Sequence, residues 1–173
     1  MRLSHMLAIT SLATTAVASG ASIIAAIATI TNTSIALNTT VATWDGGLLG
    51  TIPIVIKSTQ LLVDIKNGTD TANASKPLSA AEAAQVAQAT TQLAGVVEDV
   101  LGTIVRAKRK FDKLLLSPVI LLNLELQNNA TQEFSSAVVA KVPEDLQALA
   151  KTLVQPIQDA FDAAIKKYAL FSK

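Results

Sequence analysis

The chain has 173 residues, no cysteine, one histidine and a formal net charge of +1. Lack of cysteine excludes disulfides and thiolate metal sites, and a near-balanced, mixed charge argues against nucleic acid, which needs a basic face. Half of the residues are apolar but only 3% are aromatic, so aliphatic side chains must supply the core.

Residues 1–18 read as a secretion signal. Arg2 gives a positive start, Met6 to Val17 form a short apolar run, and Ala16-Val17-Ala18 fits an A-x-A cleavage site. A cut after Ala21 is the alternative. The run is short for a span of roughly 20 residues, so no transmembrane anchor is expected. Cleavage after Ala18 removes His5 and Arg2, leaving one mature domain, 19–173, with thirteen basic and thirteen acidic residues.

The mature chain opens on an aliphatic stripe at helical spacing: Ile23, Ile27, Ile30, Ser34, Leu37, Val41 and Trp44. Asp45-Gly46-Gly47 breaks it. A second helix is expected from about Thr51 to Lys66, with Ile52, Val55, Thr59, Leu62 and Ile65 inward and Pro53 in its first turn. Asn67 to Pro77 reads as a polar loop. Ser79-Ala-Ala-Glu82 is a capping box that starts a long third helix through Val86, Thr90, Leu93, Val97, Val100, Ile104, Ala107, Phe111 and Leu114. Ser117-Pro118 opens a fourth, with Val119, Leu122, Leu126, Ala130, Phe134 and Val138 inward. Val142-Pro143 marks the last boundary, and Pro143-Glu144-Asp145 suits a first turn. The fifth helix carries Leu146, Leu149, Leu153, Ile157, Phe161, Ala164 and Tyr168, with a kink expected at Pro156. The expected fold is all-α, a single five-helix bundle without disulfides.

Five of the seven asparagines stand in Asn-x-Ser/Thr sequons: Asn32, Asn38, Asn67, Asn73 and Asn129. They mark a secreted glycoprotein with these positions at the surface. Without mature histidine or cysteine, nucleophilic triads and zinc sites are excluded. The carboxylates read as helix-start charge (Glu144, Asp145) or as a surface ion pair (Asp162 with Lys166). The chain is therefore expected not to be an enzyme, with no catalytic residue, metal or cofactor. The basic run Arg106, Lys108, Arg109, Lys110 and Lys113 either compensates a helix C-terminus or forms a positive rim for an anionic head group. Ser34, Thr59 and Thr90 fall at inward positions. They either bond their own helix backbone or orient the polar end of an enclosed ligand.

Several stretches occur in one order along nearly the whole mature chain. They are Trp44-Asp45-Gly46-Gly47, Asn67-Gly68-Thr69 to Pro77-Leu78-Ser79, Lys108-Arg-Lys-Phe111, Glu133-Phe134-Ser135, Lys141-Val142-Pro143 and Phe161-Asp-Ala-Ala-Ile165-x-x-Tyr168. In these the chain resembles the fungal hydrophobic surface-binding protein A family, which includes the cell-wall galactomannoproteins. The resemblance implies a secreted helical bundle that adsorbs to hydrophobic surfaces. In the galactomannoprotein branch it implies capture of a long-chain fatty acid inside the bundle. Some members carry a Ser/Thr-rich tail with a lipid-anchor signal. The C-terminus here, Tyr168 to Lys173, is too short and polar for one, so a released or loosely wall-associated protein is expected.

The resemblance supplies no ligand motif, so lining candidates come from helix phase alone. They are Leu37, Val41, Leu62, Val97, Ile104, Leu122, Leu126, Leu153, Ile157 and Phe161, with Ser34, Thr59 and Thr90 for the polar end. Expected partners are a long-chain fatty acid or another apolar ligand, hydrophobic surfaces and secreted hydrolases. Two alternatives stay open: a bundle that unfolds its apolar faces onto interfaces, and a structural or antigenic mannoprotein acting through glycans and protein partners.

Overall fold

A computed structural model describes residues 19–169. It consists of α1 (Ser19–Thr43), α2 (Thr51–Ala74), α3 (Ala80–Lys113), α4 (Ser117–Val139) and α5 (Gln147–Ala169). Short 3-10 turns, Leu48–Gly50 and Glu144–Leu146, lead into α2 and α5. No strand occurs among the described residues. The expected signal segment, 1–18, lies outside them.

The helices pack in a closed circuit: α1 on α3, α3 on α5, α5 on α4, α4 on α2, and α2 back on α1. Gly20 near the start of α1 meets Glu82 in the first turn of α3, and Trp44 just past α1 stacks on Phe111 near the end of α3. These two helices are therefore parallel. Tyr168 near the end of α5 donates to the Ile104 carbonyl in the later part of α3 at 2.7 Å, so α5 shares that direction. α2 and α4 run the opposite way.

Local chemistry explains each element. In threonine-rich α1, the hydroxyls of Thr29, Thr31, Thr39, Thr40 and Thr43 bond to carbonyls one turn back, leaving the isoleucine stripe to face the core. The break after α1 is built around Trp44. Its indole N–H donates to the Gly47 carbonyl at 2.8 Å, and its ring lies 4.5 Å from that of Phe111. Gly46 sits at φ +99°, and a Cβ on Gly50 would lie 2.5 Å from the indole. The tryptophan-glycine stretch is thus a structural plug.

Two expectations are corrected. Asn67 to Pro77 is not a loop: α2 continues to Ala74. Gly68 faces inward there because a Cβ would come within 3.1 Å of Phe134 and 3.2 Å of Ile30. Thr69, Thr71 and Ser75 bond their own helix backbone. The phase of α2 and of early α4 is also turned. Ile54, Ser58, Leu61 and Ile65 face the core, while Ile52, Val55 and Thr59 are exposed. In α4, Leu124, Gln127 and Asn128 are buried, while Val119, Leu122 and Leu126 are exposed. Both segments are apolar nearly all round, so periodicity gives no sharp direction. Polar pairing sets the phase instead. The Gln127 amide donates to the Ser58 hydroxyl oxygen at 2.8 Å, Ser58 donates to Asn123, and Thr33 donates to Asp64 at 2.6 Å. Leaving such groups buried without partners would cost more than exposing a valine.

Pro156 lies inside α5, which runs unbroken from Gln147 to Ala169. The stretches Ser19–Thr43 and Leu48–Ala74 are long and apolar enough to cross a bilayer by length and composition. In the fold, α1 turns its isoleucine stripe into the core, whereas α2 keeps much of its apolar surface outside.

The expected capping box forms. Glu82 accepts the Ser79 N–H at 2.9 Å, the Ser79 hydroxyl at 2.8 Å and the Gly20 N–H at 3.1 Å. These bonds, the Ser79 amide first, hold its carboxyl below the ordinary carboxylate range. Lys108 and then Ser117 do the same for Asp112 at the other end. A lowered folded pKa favours the folded state above the unfolded value. That contribution disappears as pH falls from about 4 through the lower folded pKa. Thermal melts by circular dichroism should show stability falling across that window. Glu82→Gln should melt a few degrees lower at neutral pH and lose less on acidification; an acid loss as steep as wild type would show that Glu82 does not couple α1 to α3.

Candidate functional site

Side-chain size along α3 determines where the interior is filled. Its second half presents Val97, Val100, Leu101, Ile104 and Phe111 to the core. Trp44, Phe161 and Tyr168 are buried in that same half of the bundle. Its first half presents Val86 and Leu93 but sets Ala83, Ala84 and Ala87 around them, whose methyl groups cannot reach across the circuit. A cavity of about 220 Å³ remains there, closed by Phe134, Val138 and Val142 on the α4 side and by Leu149, Leu153 and Ile157 on α5. Exposed Ala84 and Leu149 on its wall place its opening between α3 and α5. An apolar cavity of roughly 150 Å³ already stays dry and takes up small apolar molecules.

A second cavity of about 30 Å³ lies on the bundle axis. Leu93, Thr131, Phe134 and Ile157 line both spaces and form the wall between them. No residue lining either is charged. The polar groups of the main cavity are hydroxyls: Thr90, Thr131 and Ser135. Thr90 donates to the Val86 carbonyl at 2.9 Å, satisfying its own helix. Thr131 and Ser135 stand one turn apart on α4 and offer the main polar foothold.

The phase-based candidates separate into groups. Leu153, Ile157 and Thr90 line the main cavity. Val97, Ile104, Ile157, Phe161 and Ser34 line the axial one. Leu37 and Val41 are buried towards the Trp44 end and line neither, and Leu62 is half-buried outside both. Thr59, Leu122 and Leu126 are exposed, which follows from the turned phase of α2 and α4. The alanines of α3 and the Thr131–Val142 face of α4 were not among the candidates. The signal for the former was present: Ala80, Ala81, Ala83, Ala84 and Ala87 make an alanine-dense start to an otherwise bulky helix.

The basic run lies at the opposite end of α3 from this cavity and is not its rim. Lys108 pairs with Asp112 at 2.7 Å, Arg106 donates to Thr103 at 2.7 Å, and Lys110 bonds the Trp44 carbonyl. Burial pushes the Tyr168 phenol well above its ordinary pKa, with Asp112 adding to the effect. Among the sequons, Asn32, Asn67, Asn73 and Asn129 are exposed. Asn38 is half-buried, with its Oδ1 enclosed and unbonded.

Residues 20–140 match the sequence model of the family described as hydrophobic surface binding protein A. Cell wall mannoprotein 1 of Aspergillus fumigatus is 30% identical over 135 residues, covering 77% of this chain and 46% of that protein. The Aspergillus flavus protein of the same name is 28% identical over 133 residues, covering 77% of this chain and 48% of its own. The chain thus spans about half the length of these relatives. Among solved structures, AFMP4P in complex with palmitic acid superimposes with a TM-score of 0.83 at 26% identity, covering 86% of this chain and 99% of that one. Ligand binding domain 1 of Penicillium marneffei MP1, complexed with arachidonic acids, gives 0.82 at 18% identity, covering 87% and 98%. The agreement of the sequence match with the five-helix circuit leaves one assignment: the chain belongs to the hydrophobic surface binding protein A family.

Proposed function

We propose that this is a secreted, non-enzymatic, wall-associated protein that captures the acyl chain of a long-chain fatty acid between α3, α4 and α5. The observation that carries the reading is the uncharged aliphatic cavity with hydroxyls on one wall. Support comes from AFMP4P, a relative at 26% identity solved with palmitic acid, and from the wall mannoproteins of Aspergillus. Adsorption to hydrophobic surfaces, the property that names the family, accompanies this role.

The energetics suit a flexible apolar ligand. Each methylene buried contributes about 0.8 kcal/mol, against association costs of roughly 4–15 kcal/mol. A cavity of about 220 Å³ is below the roughly 300 Å³ where pockets for drug-sized ligands begin. In this reading a long chain extends past Phe134 into the axial space, which must widen from about 30 Å³ to admit it. The uncharged lining leaves a carboxylate at the opening, in water, where it keeps its hydration.

Native mass spectrometry of the mature, deglycosylated protein with stoichiometric palmitate and arachidonate should give a one-to-one adduct that survives excess detergent. Ala87→Leu fills the cavity with aliphatic carbon; it should abolish the adduct while the melting temperature holds or rises. Adducts undiminished in Ala87→Leu would place the ligand elsewhere, and no adduct with either lipid would favour surface adsorption alone.

Phe134→Ala removes the wall between the two cavities. It should cost about 3–5 kcal/mol in chemical denaturation and shift competition binding towards longer or bulkier acyl chains. An unchanged order of preference would show that the axial cavity is not used.

A further inference from the structure

The bundle end away from the cavity carries a second apolar surface. Leu49 is 80% exposed and Leu115 85%, with Leu48, Ile52, Val55, Ile56, Val119 and Leu122 also more than half exposed. They come from the approach to α2 and from the hairpin that opens α4. The two helices run parallel here, joined through Ser58, Asn123 and Gln127. By helical phase their outward rows lie side by side. Soluble monomers seldom expose contiguous apolar surface of this kind without a use for it.

Leu115 gives a separate indication. Its N–H bonds the Asp112 carbonyl at 3.0 Å, and that of Leu116 bonds the Phe111 carbonyl at 3.0 Å. That pairing ends a helix with a left-handed residue, and Leu115 holds it at φ +58°. Glycine or asparagine normally occupies the position because a β-carbon is strained there. A leucine in it gains no burial to offset the strain. Both costs are explained if the side chain has a partner outside the protein.

Charge indicates what kind of partner. Around this end stand Arg106, Arg109, Lys110, Lys113, Lys166 and Lys167, against Asp45 and an Asp112 already paired with Lys108. The opposite end holds Asp70, Glu82, Glu133, Glu144 and Asp145 together with Lys76, Lys141 and Lys151, a small acidic excess. A mature chain of zero net charge is thus polarised along its axis. Sequon asparagines Asn67, Asn73 and Asn129 fall on the far half of the α2–α4 side.

We infer that this end docks on anionic lipid surfaces. Leu48, Leu49 and Leu115 enter the acyl region while the lysine and arginine collar meets the head groups. The inference goes beyond the cavity reading and does not depend on it.

The test is co-sedimentation of the mature glycosylated protein with phosphatidylcholine vesicles, with and without phosphatidylglycerol, at low and high salt. Binding is expected on the mixed vesicles, reduced by salt and weak on phosphatidylcholine alone. Leu115→Gly relieves the backbone and removes the side chain. Its melting temperature should hold or rise while vesicle partitioning drops about tenfold, the loss expected for one buried leucine. Its palmitate adduct should persist, which separates this surface from the cavity. Equal partitioning of Leu115→Gly and wild type would overturn the proposal, as would equal binding to neutral vesicles. A dimer in sedimentation velocity that Leu115→Gly dissolves would assign the face to a second copy of the chain instead.

Discussion

The structure depends on how far side chains from α3 reach into a circuit of five helices. Five helices in a ring leave more space on their axis than a four-helix arrangement does, and only bulky residues can close it. In its later half α3 supplies them, and Trp44, Phe161 and Tyr168 complete a dense interior. In its first half Val86 and Leu93 stand among alanines, and space stays open. One helix therefore divides the bundle into a solid half that holds the fold and a hollow half that can hold a guest.

This division separates roles that would otherwise conflict. Apolar cavities cost stability in proportion to their volume, so a bundle that was hollow throughout would be marginal without disulfides. Here the Trp44–Phe111 stack, the Tyr168 bond to Ile104 and the Lys108–Asp112 pair concentrate specific interactions at the solid end. The hollow end is held by bonds to backbone amides instead. The Ser79–Glu82 capping box ties α3 to α1, and the Leu78 N–H bonds the Lys141 carbonyl at 2.7 Å, tying the α2–α3 link to the end of α4. A wall of aliphatic and alanine side chains between these ties can yield to a flexible chain without breaking a hydrogen bond.

The same polarity extends to the surface. Most of the basic residues and the most exposed leucines gather at the solid end, while the hollow one carries a small acidic excess. Rigid packing behind an exposed leucine lets it meet a surface without the core rearranging. The turn around Trp44 belongs to this structural frame, with its glycines fitted to the indole and to one left-handed turn.

α3 and α5 were legible in the sequence because polar and apolar residues alternate sharply along them, and α1 because its large aliphatic residues recur at helical spacing among alanine and threonine. Ile23 to Trp44 is buried as its spacing predicts, and Ser79, Ser117 and Pro143 mark helix starts by chemistry local to each turn. The absence of thiol was likewise decided by composition. The inward faces of α2 and early α4 were not legible. With Ile52 to Ile56 and Val119 to Leu126 apolar on most sides, direction was set by Ser58 meeting Gln127 and Asn123, partners more than sixty residues apart. Nor was the cavity. An alanine reads as core in any helix, and whether it fills space or leaves it depends on the neighbour opposite. Only the closed circuit, which sets α5 and α4 across from Ala83 and Ala87, turned those small side chains into a cavity.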